Sequence, residues 1–113
     1  MTIEAVPPHV EDRIEVSASG SALVLAIHGD LDIAVTDSIA PRLISAVAST
    51  RHVILDVGAV TFCDSTGIAM FCATQELADA SKCRLQFRNL PAALRRVFQI
   101  TGVDGLFDLG GTP

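Results

Sequence analysis

The apolar residues of this chain fall into short runs that alternate between a strand period and a helix period. Ala22 to Ile27 is almost continuously apolar, the pattern of a central strand buried on both faces. Arg13 to Ser17 alternates weakly and reads as an edge strand. The turn residues Ser19-Gly20-Ser21 join the two into a hairpin. Gly29-Asp30-Leu31-Asp32 then reads as a loop. Val35, Ile39, Leu43, Ala46 and Val47 recur on one face of a first helix, with Asp32 or Thr36 as its cap. Pro41 falls inside that pattern and predicts a kink or a late start. Val53 to Val57 is a third strand, Ile68 to Ala80 a second helix and Arg84 to Phe87 a fourth strand. Pro91 to Ile100 is a third helix, with Asn89 as cap and Thr101-Gly102 as its stop. Leu106 to Leu109 reads as a short last strand.

Strands alternating with helices after an initial hairpin predict an α/β fold. The sheet is mixed, mostly parallel and four- to five-stranded, and about three helices cover it. Residues 1–12, which include Pro7, Pro8 and His9, read as a flexible tail before a single domain over 13–110.

The second helix carries an ambiguity. At about 100° per residue, Ala69, Met70, Ala73, Leu77 and Ala80 share one arc, the expected core face. Gln75, Glu76 and Asp79 mark the wet side, and Ile68 and Cys72 fall among them. Either the helix is buried on a second side, or Ile68 and Cys72 form a small exposed apolar patch for a partner.

Composition narrows the function. Half of the 113 residues are apolar, enough for a core without disulfides or metal. The net charge of -5 and the absence of Trp and Tyr argue against nucleic acid and against anionic membrane surfaces. No apolar run approaches the roughly 20 residues of a membrane helix, and no secretory signal pattern opens the chain, so a cytoplasmic location is expected. Cys63, Cys72 and Cys83 are odd in number and lack metal-ligand spacing. They read as small core residues, the alternative being a redox role for Cys63 or Cys72 beside Ser65. No metal site, cofactor or catalytic residue is expected. His9, His28 and His52 have no spacing that pairs them with a serine, and no nucleophile elbow, phosphate loop or dinucleotide fingerprint is present. Arg95-Arg96 reads as a solvated helix face.

The candidate chemistry lies at Asp64-Ser65-Thr66-Gly67, between the third strand and the second helix. Such a triplet is ordinarily a cap for free helix amides. Gly67 is unusual there, because glycine in a first turn costs roughly 1 kcal/mol against alanine. A residue without Cβ suits close approach by another molecule. A phosphate on a hydroxyl at this place would be stabilised by the helix N-terminus. With Asp30, Asp32 and Asp64 nearby, it would also make the surface strongly acidic and repel a docked partner.

These residues are similar to those of the STAS domain family (sulfate transporter and anti-sigma factor antagonist), and more narrowly to its free-standing bacterial anti-sigma factor antagonists. Gly29-Asp30-Leu31-Asp32 resembles the family's Gly-Glu-Leu/Ile-Asp loop. Val53 to Asp56 with Phe62 to Ile68 resembles its strand, phosphorylation loop and helix start. Leu94 to Val103 resembles its terminal helix and Thr-Gly turn. The resemblance implies a STAS-like sheet and a partner-switching cycle. The unphosphorylated form binds an anti-sigma factor that is also a serine kinase and frees a sigma factor. Phosphorylation separates the pair, and a phosphatase resets it. It implies Ser65 as phosphoacceptor, with Thr66 as a secondary one. Together with the reading of the second helix, this gives an expected partner surface of Asp30, Asp32, Asp64, Ser65, Thr66, Gly67, Ile68 and Cys72, on a monomer or weak dimer. The alternatives are a non-phosphorylated scaffold or transporter-associated subunit, and a small-ligand sensor. Asp30 stands where Glu is usual, Cys63 where Met is frequent, and the family's final helix is truncated or absent.

Overall fold

A computed structural model describes residues 13–110. The tail assigned to residues 1–12, with His9, lies outside them. Strands β1 (Ile14–Ser19), β2 (Ala22–Leu31), β3 (His52–Cys63) and β4 (Arg84–Arg88) form one sheet in the order β1-β2-β3-β4. β1 and β2 are an antiparallel hairpin closed by Gly20-Ser21, with Gly20 at φ +61° where a side chain would be strained. β2, β3 and β4 are parallel. Helices α1 (Ile33–Ser49), α2 (Ser65–Ala80) and α3 (Ala92–Thr101) make the crossovers and the final connection.

The anticipated mixed sheet and three helices are present, with four strands. The fifth, expected over Leu106 to Leu109, is a 3-10 turn at Asp104–Leu106 followed by one isolated bridge between Gln86 and Asp108. Leu25, Leu55 and Phe87 share a sheet register and point into the core beneath the helices. Four of the five phenylalanines lock α2, β4, α3 and the C-terminal turn together. Phe71 meets Phe87 edge-on at 5.2 Å, and Phe98 packs at 5.9 Å from Phe87. Phe107 closes the cluster at 5.0 Å from Phe87 and 5.1 Å from Phe98.

Several boundaries differ from the sequence reading. Gly29 to Leu31 continues β2, and β3 runs six residues past Val57. Between Ala26 and Asp30, β3 holds two more residues than β2, a pair of bulges that twist the strand end and carry it to the start of α2. α1 begins before Pro41 and contains it. Asp32 is its cap through Val35 N, and Thr36 is not. Asn89 does not cap α3. It sits at φ +59° and gives its amide to both oxygens of Asp56, leaving Pro91 at the cap position without a side-chain bond. Gly102, at φ +78°, closes α3 as expected.

The core face of α2 is also different. Ala69, Ala73 and Ala80 are exposed, and the buried residues are Gly67, Ile68, Met70, Phe71, Thr74 and Ala78. Thr74 is buried because its hydroxyl donates to Met70 O at 2.7 Å within the helix.

Phe98 is the anchor of α3, so Phe98→Ala is expected to lower stability by about 3–5 kcal/mol. A urea titration followed by far-UV circular dichroism checks this. A loss under about 1 kcal/mol would show that α3 is held by something other than this cluster.

Candidate functional site

The ends of β2 and β3 lie side by side, with Leu31 paired to Cys63. Each strand is followed by one aspartate and then a helix. Asp32 follows Leu31 and caps α1 by accepting from Val35 N at 3.1 Å. Asp64 follows Cys63 and caps α2, which therefore starts at Ser65 rather than Ile68. Asp64 N donates to Leu31 O at 3.2 Å, tying the start of α2 to the end of β2. Two helix N-termini thus open at one place on the surface, each with its own carboxylate.

Asp64 Oδ1 is densely bonded. It accepts from Thr66 N at 2.9 Å, from the Thr66 hydroxyl at 2.5 Å and from Gly67 N at 3.3 Å. The Thr66 hydroxyl, helped by the amides of Gly67 and Thr66, holds the Asp64 carboxyl below its ordinary range against a smaller opposing effect of burial. Thr66 is also approached from α1. The hydroxyl of Thr36, buried between the helices, donates to Thr66 Oγ1 at 3.2 Å and lies 3.2 Å from Ile33 O.

Ser65 differs from its neighbour. It is exposed at the first position of α2, and its hydroxyl makes no side-chain hydrogen bond among the described residues. Of the two hydroxyls, Thr66 serves the fold and Ser65 does not.

Gly67 has an internal role. A Cβ there would stand 2.5 Å from Cys63 Sγ and 3.4 Å from Leu31 Cβ. The missing side chain lets α2 lie directly on the strand ends, so the close approach is made by the protein's own Cys63 and Leu31 and not by a visitor. Ile68 is buried in the core, and Cys72 is half-buried against it. The exposed patch considered for this pair is absent, because the single buried face of α2 is turned toward Ile68 and away from Ala69, Ala73 and Ala80. Two other apolar residues are exposed instead. Ile33, in the first turn of α1, is 61% exposed, and Phe62, on β3 just before the cap, is 54% exposed. Beside Phe62 lies a cavity of about 140 Å3, lined by Phe62 and Cys63 and by Ala93, Leu94 and Val97 of α3. Phe62 could not be placed from sequence while β3 was read as ending at Val57.

Asp30 pairs across the strands. Its Oδ1 accepts from the Thr61 hydroxyl at 2.5 Å, and its backbone oxygen accepts from the Arg13 guanidinium at 2.8 Å. Segments 30–36 and 61–68 contain Asp30, Asp32 and Asp64 and no Arg, Lys or His. His28 lies opposite Ala59, and His52 bonds Gln86 Oε1 at 2.6 Å. The thiol of Cys63 is pushed up to about 11 by burial and by the Asp64 charge, and burial also raises Cys72 and Cys83. Raised thiols are poor nucleophiles at neutral pH, so this environment works against the redox reading. Among the described residues no group of His, Cys, Asp and Glu is arranged to hold a metal, and no helix is long and apolar enough to cross a membrane.

A family model described as Mlab, STAS domain matches residues 14–109. The chain is 23% identical over 97 residues to the anti-sigma-B factor antagonist of Bacillus subtilis (strain 168), covering 86% of this chain and 89% of that one. Its fold is similar to that of an anti-sigma factor antagonist from Mycobacterium paratuberculosis, with TM-score 0.74, 26% identity and coverage of 88% and 85%. It is also similar to the anti-sigma factor antagonist SpoIIAA in its unphosphorylated form, with TM-score 0.67, 20% identity and coverage of 88% and 89%. The phosphorylated form of Bacillus SpoIIAA matches almost equally, with TM-score 0.66, 20% identity and coverage of 87% and 92%.

Two outcomes are expected at this site. Gly67→Ala should lose about 1–3 kcal/mol through overpacking against Cys63. In a Cys63→Ala background that loss should shrink to near zero, because the clashing sulfur is gone and alanine is the better helix former. Equal losses in both backgrounds, measured by denaturant unfolding, would contradict the packing argument. The second concerns acid. A carboxyl whose folded pKa is depressed adds stability above its unfolded pKa, about 4, and loses it as pH falls through the folded value. Asp64→Asn should therefore flatten the acid limb of the stability curve and leave little difference from the parent at the lowest pH. A steeper limb in the variant would be the opposite sign.

Proposed function

The chain belongs to the STAS domain family, and from that premise we propose that it is an anti-sigma factor antagonist switched by phosphorylation of Ser65. The unphosphorylated form binds an anti-sigma factor that carries serine kinase activity, and so releases a sigma factor. The observation that carries this reading is the contrast between two adjacent hydroxyls. Thr66 is held between Asp64 and Thr36, whereas Ser65 is exposed and makes no side-chain hydrogen bond among the described residues. A structural subunit would need the cap alone, which Asp64 and Thr66 already complete, and would leave Ser65 without a task.

In the proposed transfer, Ser65 Oγ forms a bond to the γ-phosphorus of a nucleoside triphosphate held by the kinase. The bond from that phosphorus to the nucleoside diphosphate breaks, and the diphosphate leaves with the electron pair. The hydroxyl proton goes to a base on the kinase. The chain supplies position and no catalysis, so it acts as substrate and binding partner. The phosphoserine then carries about -1.5 to -2 charge at neutral pH. It sits on the N-terminus of α2, whose dipole stabilises it, so the fold tolerates the modification.

The docking surface does not tolerate it. Asp32 and Asp64 already flank the position, and neither helix start contributes a cation. A partner seated there meets a dense acidic cluster and must desolvate it. The surface we assign to the partner comprises Asp30, Asp32, Asp64 and Ser65, extended by the exposed Ile33 and Phe62. Thr66, Gly67, Ile68 and Cys72 support it from within. Removal of the phosphate by a phosphatase restores the binding form.

Candidate anti-sigma kinases from the source organism, tested by calorimetry, decide the matter. Ser65→Ala should bind like the parent, and Ser65→Asp should bind about tenfold or more weakly, since a like charge in an interface costs up to several kcal/mol. Equal binding by the Ser65→Asp form would overturn the charge argument.

A further inference from the structure

We propose that Thr36 confines phosphoryl transfer to Ser65 by holding the neighbouring Thr66 hydroxyl out of the reaction. The inference rests on the reading of Ser65 as phosphoacceptor. It concerns a different element, α1, and a residue outside the Asp64-Ser65-Thr66-Gly67 loop.

Two hydroxyls stand next to each other at the start of α2, and a kinase active site that receives one is within a residue of the other. Discrimination must come from what each hydroxyl has free. A hydroxyl attacks phosphorus through an oxygen lone pair while it releases its proton. Ser65 has both free, since it is exposed and makes no side-chain hydrogen bond among the described residues. Thr66 has its proton directed at Asp64 Oδ1, at 2.5 Å. That bond alone would not protect it. A carboxylate that draws a hydroxyl proton makes the oxygen more nucleophilic, as a general base does. Asp64 by itself would therefore prime Thr66.

Thr36 supplies what is missing. With the Thr66 proton on Asp64, the Thr36 hydroxyl is the donor between the two threonines, its one proton shared between Thr66 Oγ1 and Ile33 O at the same 3.2 Å. It occupies a lone pair of Thr66 Oγ1 and turns that oxygen toward α1. Thr36 is itself buried, at 4% exposure, and its proton has one other acceptor within reach, Ile33 O at 3.2 Å. The order Thr36 to Thr66 to Asp64 is thus a one-way relay that starts from a buried donor and ends on the cap. Ser65 lies outside it. Thr36 is a positioning residue here, acting through Thr66, and touches neither the donor nucleotide nor the reacting phosphorus.

The test compares the parent, Thr36→Val and Thr36→Ser, each with and without Ser65→Ala, by phosphopeptide mapping after incubation with the anti-sigma kinase and Mg·ATP. Valine keeps the shape and removes the donor; serine keeps the donor. Ser65→Ala alone should carry only a trace of phosphothreonine at Thr66. Ser65→Ala with Thr36→Val should carry phosphothreonine at Thr66, at least about fivefold above Ser65→Ala alone, the factor that corresponds to one net hydrogen bond. Thr36→Ser should restore the block. A second readout needs no kinase: three-bond NMR couplings of Thr66 should report one χ1 rotamer in the parent and Thr36→Ser, and averaging in Thr36→Val. Absence of phosphothreonine in the double variant while the parent is modified at Ser65, or an unaveraged Thr66 rotamer in Thr36→Val, overturns the proposal. If the parent takes no phosphate from any kinase, the Ser65 reading fails, and the rotamer measurement alone decides the role of Thr36.

Discussion

The site depends on the closeness of α2 to the strand ends beneath it. A single missing side chain, at Gly67, allows Cys63 Sγ to occupy the space where a Cβ would stand. That contact sets the height of the first turn of α2 above Leu31 and Cys63. From it follow the bond between Asp64 N and Leu31 O and the reach of Asp64 to three donors. Only with the turn at this height can Thr36 of α1 meet Thr66 of α2. The helix-propensity cost of glycine in a first turn is thus offset by the close packing of α2 on Cys63 and Leu31.

The same geometry divides labour between adjacent residues. Asp64 accepts from the amides of Thr66 and Gly67, the Thr66 hydroxyl bonds Asp64 in turn, and Gly67 and Ile68 form the floor. Ser65 is left on the surface with acidic neighbours and, among the described residues, no side-chain hydrogen bond. Function is proposed for the residue the fold does not need.

Much of this was legible in the sequence wherever large apolar residues carried the period. The five residues from Val35 to Val47 mark the buried face of α1, and the run from Ala22 to Ile27 marks the central strand. α2 misled because its exposed face is lined with alanines, Ala69, Ala73 and Ala80, whereas its buried face contains a glycine and a threonine. Apolarity points an alanine inward, but close packing at Gly67 and an internal hydroxyl bond at Thr74 decide the real orientation. β3 was read as ending at Val57, where the apolar run meets Gly58, while two bulges carry the strand onward. The hydroxyl motif itself was plain. Its link to Thr36 was not, because a contact over 30 residues between two helix starts leaves no periodic trace.

The most direct test of the account is binding by the chain itself in both states. Chain phosphorylated to completion at Ser65 and unmodified chain are titrated into the same anti-sigma kinase, with amide NMR spectra recorded for each free form. The account predicts that binding is lost on phosphorylation while chemical shifts change only around the starts of α1 and α2. Undiminished binding by the phosphorylated chain would contradict it, as would loss of binding accompanied by shift changes throughout the sheet.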